Sequence, residues 1–217
     1  GYPRDDLDRN RPAADTQGVK RAILALLLVL LPLASASGWR IMYKEQYYKL
    51  YHEQLYHYPD DTMEQIHYLE EAMKADFCNP LYALAKIDNE IQWERYRYLF
   101  NLHVNLQLIY LYRQLGAKWD KQVAYFYNAP WKRQNLESIA LAEQVYKVAH
   151  RYWEEARKWS ARAWAMRTVH LEDIQLWEDE CWRIETGDLD YREIIDEQLA
   201  RLAKVRAAFE AMDEKTY

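Results

Sequence analysis

In a chain of 217 residues, 34 acidic side chains stand against 29 basic ones, and the formal net charge of −5, with no basic stripe to track phosphates, gives no electrostatic reason to expect a nucleic-acid partner. Half of the residues are apolar, and the aromatics are skewed to 19 Tyr and 9 Trp against 4 Phe. Such rings have an apolar body with a polar tip and suit helix interfaces that stay partly wet, including interfaces with other proteins.

Residues 1–21 are polar and end in the basic pair Lys20-Arg21, and residues 22–39, from Ala22 to Trp39, carry no charge. At about 1.5 Å per residue that stretch is just long enough for a membrane-spanning helix. Ala34-Ser35-Ala36 also has the small-x-small pattern of a processing site, so the stretch reads either as a transmembrane anchor or as a cleaved signal peptide. Positive charge stays in the cytoplasm, and both readings place everything after Arg40 outside it.

The body divides into an expected helical-hairpin domain, residues 40–131, and an expected long antiparallel helical hairpin, residues 132–217. A first helix is predicted from Arg40 to Tyr58, ended by Pro59; Asp61-Thr-Met-Glu64 then reads as a capping box that opens a second helix running to Phe77. Leu81 to Leu115 reads as helical with a break near Ile87-Asp88-Asn89, stopped by Gly116 in a left-handed conformation. A short helix is expected from Lys118 to Tyr127, and Asn128-Ala129-Pro130-Trp131 as a tight connector. Between Trp131 and Thr186 there is neither Gly nor Pro, and a stripe with steps of three and four runs through Ala142, Val145, Ala149, Tyr152, Ala156, Trp159, Ala163, Met166, His170, Ile174, Trp177, Cys181 and Ile184. That pattern predicts one long helix that turns at Thr186-Gly187-Asp188 and packs antiparallel on a last helix through Tyr191, Ile195, Gln198, Leu202, Val205, Phe209 and Met212. With no strand-like alternation anywhere, the fold class is all-α.

Chemistry is sparse. Glu64 and His67 stand one helical turn apart as in di-iron bundles, but no second such pair exists, so no metal is expected. Cys78 and Cys181 lack the companions of a zinc site or redox dithiol, and fit buried apolar positions better than a disulfide. Ser138 and Ser160 fall inside the long helix and not on a turn beside a base, and so few glycines leave no phosphate loop. No catalytic residue and no cofactor is expected. Trp153, Trp159 and Trp164, with the tyrosines of the first helix, either line a groove for a glycan or peptide or pack one hairpin on the next; helical spacing favours packing.

Two stretches, Tyr68 to Pro80 with Ala72 and Ala75, and Leu108 to Tyr127 with Leu115-Gly116 followed by Ala124, resemble the stacked helical hairpins of tetratricopeptide repeats. The run Tyr56-His57-Tyr58-Pro59, the run Asp76 to Ala85, and Ala124 to Lys132 followed by Asn135 to Ser138 resemble the small helical collar proteins of spirochaete periplasmic flagella, over roughly residues 40–165. Those proteins help build a ring around the motor between inner membrane and cell wall. The resemblance implies a periplasmic scaffold, anchored in the inner membrane or released from it, that binds other proteins such as collar or motor components and performs no chemistry. The expected partner-facing residues are Tyr125, Tyr127, Asn128, Pro130 and Trp131, because an aromatic-rich connector between helices is hard to bury wholly inside its own fold.

Overall fold

The computed structural model describes residues 40–121 and 128–215. The polar segment 1–21, the anchor or signal peptide 22–39, and Tyr125 and Tyr127 lie outside them, as does most of the short helix expected at 118–127. Among the described residues the regular structure is helical, apart from one isolated parallel bridge between Tyr43 and Asp76, and no helix is long and apolar enough to cross a membrane. Six α-helices lie in these residues: α1 (Lys44–His57), α2 (Thr62–Lys74), α3 (Glu90–Ala117), α4 (Lys132–Trp164), α5 (Gln175–Glu185) and α6 (Tyr191–Ala211). Ile41–Tyr217 form one compact unit, so the core is continuous across the boundary expected between residues 131 and 132.

The centre of that unit is α3. Sixteen of its 28 residues are buried, including the unbroken run Leu99–Leu106, so through that run no face of the helix is left to water, while Ile91 and Tyr110 nearer its ends are exposed. A helix apolar on every side must be enclosed by others. Around it, α1 runs parallel, with Tyr48 reaching His103 and Tyr51 reaching Gln107. Both α2 and α4 run antiparallel to it, as the bonds Tyr112 to Glu70 and Tyr152 to Glu70, the contact of Gly116 with Tyr146, and the Tyr98–Trp159 ring pair show.

Helix boundaries depart from expectation where tertiary bonds replace helical ones. Asp61 caps α2 as predicted, its carboxylate accepting from the Glu64 amide, but α2 ends at Lys74 and not at Phe77. There the buried Lys44 ammonium takes the carbonyls of Ala72 (2.9 Å) and Met73 (2.8 Å), and the Asp76 carbonyl accepts from the Lys44 amide. The helix expected from Leu81 is absent: only Pro80–Tyr82 makes a single 3-10 turn. Amides of this segment are satisfied from a distance, Cys78 donating to Glu45, Leu84 to the Tyr96 hydroxyl and Lys86 to Asp173, while Asp88 donates to the nearby Gln92 side chain. Once those donors are spoken for, a helix offers them nothing more.

The long helix is corrected too. α4 stops at Trp164, unwinds through the three-residue bonds Met166 to Ala163, Arg167 to Trp164 and Val169 to Met166, and the chain returns as α5 and then α6. Both run antiparallel to α4, Ser160 facing Cys181 and Glu185, Glu154 pairing with Arg192, Glu143 with Arg206, and Lys132 bonding the carbonyls of Glu210 and Met212. The antiparallel hairpin therefore exists, with its tip at residues 165–171; Gly187, at φ +84°, bends the returning limb between α5 and α6. Along α4 the deepest positions are Ile139, Ala142, Tyr146, Ala149, Trp153, Ala156, Ser160 and Ala163, a strict three-four alternation. The alanines were legible as a stripe. Their companions are Tyr146, Trp153 and Ser160, whereas Tyr152 and Trp159 sit half-buried on the flank.

Gly116 does not stop α3 in a left-handed turn, since the helix continues to Ala117; the left-handed residue is Lys121, at φ 58°. The glycine serves a close approach. A Cβ there would lie 2.5 Å from Cε1 of Tyr146, whose ring is fully buried and whose hydroxyl is fixed by Asp120. In an open helix, Gly→Ala stabilises by about 1 kcal/mol. Gly116→Ala is expected instead to destabilise by about 1–3 kcal/mol in denaturant unfolding, because the overpacked ring has nowhere to move.

Candidate functional site

The directions of the helices gather several loops at one end of the bundle. The C-termini of α1, α3 and α6 meet the N-termini of α2 and α4, and the junctions are fastened: Lys118 donates to Thr62 Oγ1 (3.2 Å), Ser138 to the Trp119 carbonyl (3.0 Å), and Lys132 to the last carbonyls of α6. Asp120, buried beneath this end, accepts from the Tyr146 hydroxyl (2.9 Å) and pairs with Arg201. One carboxylate thus locks the end of α3 onto both α4 and α6.

On this scaffold stand the connector residues that sequence singled out. Asn128 is half-buried, Pro130 is exposed, and Trp131 is 41% exposed in the 3-10 turn Ala129–Trp131 that leads into α4. Beside them opens a cleft of about 600 Å³ lined by Ala129, Pro130, Lys132, Met212, Asp213 and Glu214. The same end carries a second set that sequence reading assigned to the packing of the first helix. At the α1–α2 turn, Tyr56 is 83% exposed, Tyr58 63% and Met63 61%. The available signal was a pair of tyrosines abutting Pro59, since side chains at a helix end that a proline terminates have no facing helix to cover them.

The aromatic-groove expectation meets a different geometry. Trp153 is in the core, edge-on to Tyr191, while Trp159 carries the Arg162 guanidinium at 4.7 Å and Trp164 that of Arg167 at 5.2 Å. These three rings pack; they do not converge on one groove. Tyr112 and Tyr152, stacked 5.5 Å apart, both donate to Glu70 Oε1 and so fasten α2 across α3 and α4.

A buried polar chain escaped sequence reading altogether. His103, on the enclosed helix, takes the Tyr48 hydroxyl at Nε2 (2.8 Å) and Glu180 at Nδ1 (2.7 Å), with the Trp177 ring stacked on it at 4.9 Å. Its partners lie 55 and 77 positions away, beyond the reach of any spacing rule. Burial pushes the Tyr48 phenol far above its ordinary range, and Phe100 and Trp177 close over both rings. The chain ties α1, α3 and α5 together instead of presenting a base to solvent.

The residues weighed for chemistry are likewise spent on structure. Glu64 and His67 lie on the outer side of α2, and no group of three or more possible metal ligands occurs among the described residues. Ser160 donates to Glu185 (2.7 Å). Cys78 and Cys181 are buried, unbonded thiols; burial, then the Glu45 carboxylate, pushes Cys78 up to about 12, which leaves it un-nucleophilic.

A family model described as a domain of unknown function (DUF8513) matches residues 91–212, more than half of the chain, from the first turn of α3 to the end of α6. No curated protein and no solved structure matches.

Alkaline pH should open this molecule. Burial raises the Cys78 thiol from 9.0 to about 12 and the Tyr51 phenol from 10.0 to about 12, and it raises Tyr48, Tyr96, Tyr112, Tyr146 and Tyr152 in the same direction. A folded-state value above the unfolded one means that the native protein holds the proton more tightly. The associated stability is complete below about pH 9 and is lost as pH rises toward about 12. Denaturant midpoints measured across that window should fall steeply, with the tyrosinate absorbance of the buried phenols appearing together with unfolding; ionisation of Tyr48, Tyr51, Tyr96, Tyr112, Tyr146 and Tyr152 near pH 10 in a still-folded protein would contradict the burial.

Proposed function

The chain belongs to the DUF8513 family, and from that premise we propose that this member is a helical scaffold that assembles other proteins at a bacterial envelope, as a structural component of the collar around a periplasmic flagellar motor. The observation that carries the proposal is the end surface itself: Pro130 and Trp131 ahead of α4 and Tyr56, Tyr58 and Met63 at the α1–α2 turn, all exposed, at the end of the bundle where Asp120, Lys118 and Lys132 bond the helix ends together. Exposed aromatics on preorganised loops bind with little entropy lost on ordering. The uncharged run Ala22 to Trp39 supports a periplasmic body, tethered to the inner membrane or released from it. The likeness of Tyr56 to Pro59, Asp76 to Ala85 and Ala124 to Ser138 to spirochaete collar proteins supports the motor setting. The partners proposed are collar or motor proteins, with no nucleic acid and no cofactor.

Affinity recovery of the tagged full-length chain from gently solubilised envelopes, followed by mass spectrometry, should return collar or motor components. Tyr56→Ala together with Tyr58→Ala should lower that recovery by about tenfold or more while shifting unfolding by less than about 1 kcal/mol, since these two rings are largely solvated. Recovery without any such component would refute the collar assignment.

A further inference from the structure

The chain's charge is unevenly placed. From Leu50 to Met73, across the second half of α1 and nearly all of α2, there are six acidic residues, Glu53, Asp60, Asp61, Glu64, Glu70 and Glu71, and no Lys or Arg. Against 34 acidic and 29 basic residues overall, the remaining chain holds 28 acidic and 29 basic, so the whole net negative charge resides in this one stretch of the hairpin. Its carboxylates are also left without cations. Among the described residues only Glu71 is ion-paired, with Lys74; Asp61 is spent on the α2 cap and on Gln54, and Glu70 on two tyrosines. Lys118, the ammonium that reaches this turn, donates to the Thr62 hydroxyl. Glu53 and Asp60 are exposed beside the exposed Tyr56, Tyr58 and Met63, whereas the half-buried Glu64 accepts from the Tyr68 hydroxyl.

Resting on the scaffold reading above, the geometry points to the α1–α2 turn as a docking surface for a basic segment of a partner protein, Lys or Arg side chains meeting Glu53 and Asp60 while their stems and the segment's apolar residues cover Tyr56, Tyr58 and Met63. The apolar tip supplies the contact area, and the unpaired acids around it select the sign of the partner. Guanidinium and ammonium groups are attracted both by carboxylates and by tyrosine faces, so the two parts of the surface act on one chemistry. Anionic lipid and nucleic acid carry the charge this surface repels. A second copy of the chain is a poor fit, because outside the hairpin its charges nearly cancel.

The test places a photo-cross-linking amino acid at position 56 or at position 131 of the full-length chain in its own envelope, and sequences the cross-linked partner peptides. The expected result is a net-basic peptide from position 56, captured about tenfold less when Glu53→Lys and Asp60→Lys are introduced and when salt is raised, with capture from position 131 much less affected. Cross-links from position 131 alone would overturn the basic-segment inference and leave the scaffold reading standing. Capture at position 56 of a neutral or acidic peptide, or of a second copy, would overturn it as well; no capture from either position would remove both.

Discussion

Enclosure of the middle of α3 on every side is the constraint from which the rest of the structure follows. A helix with Leu99–Leu106 buried without interruption contributes apolar surface in all directions, and it also carries Arg95, Asn101, His103 and Asn105 into the interior. Each of those polar groups costs about 1–3 kcal/mol if left unpaired there. Helices that cover α3 therefore need more than the right apolar faces; they must bring Glu178 to Arg95, and Tyr48 with Glu180 to His103. Asn101 and Asn105 turn back to their own helix, bonding the carbonyls of Arg97 and Asn101. This fixes the register of α1 and α5 against α3 more sharply than apolar contact alone, which tolerates sliding.

That register has consequences at the surface. With α1 parallel to α3 and α2 and α4 antiparallel, the α1–α2 turn, the α3–α4 connector and the end of α6 must fall at the same end, and the bonds of Lys118, Lys132 and Asp120 keep them there. Loop residues widely separated in sequence thus come to one end of the bundle, Tyr56 exposed on the α1–α2 turn and Trp131 on the connector. The function proposed for this protein rests on that end, whereas the aromatic wealth in the middle of the bundle is mostly internal packing, as the stack of Trp93 on Tyr96 and the cluster of Tyr48, Phe100 and Trp177 around His103 show.

Much of this was legible in the chain, and the failures share a cause. The all-helical class followed from punctuation, Pro59 and Asp61 marked the first turn, and the alanines of α4 marked its buried stripe. The hairpin tip was misplaced because residues 165–171 hold neither Gly nor Pro; the turn is closed by Glu178, which accepts from the Leu171 amide and also pairs with Arg95 on α3. The extended segment after Pro80 was read as helix because its donors are satisfied by Glu45, Tyr96 and Asp173, none of them local. Local chemistry predicts where a chain can turn, and here remote carboxylates and a phenol decide where it does. Of the candidate site, Pro130 and Trp131 were found because a connector announces itself; Tyr56 and Tyr58 were hidden in a helical pattern whose last turn has no partner.

Native-state hydrogen exchange of the full-length protein tests the central claim most directly. If α3 is the enclosed core, its amides from Leu99 to Leu111 should exchange only through global unfolding, with protection that falls in step with global stability as denaturant is added. Exchange of those amides through a local opening, while α4 and α6 stay protected, would contradict the account.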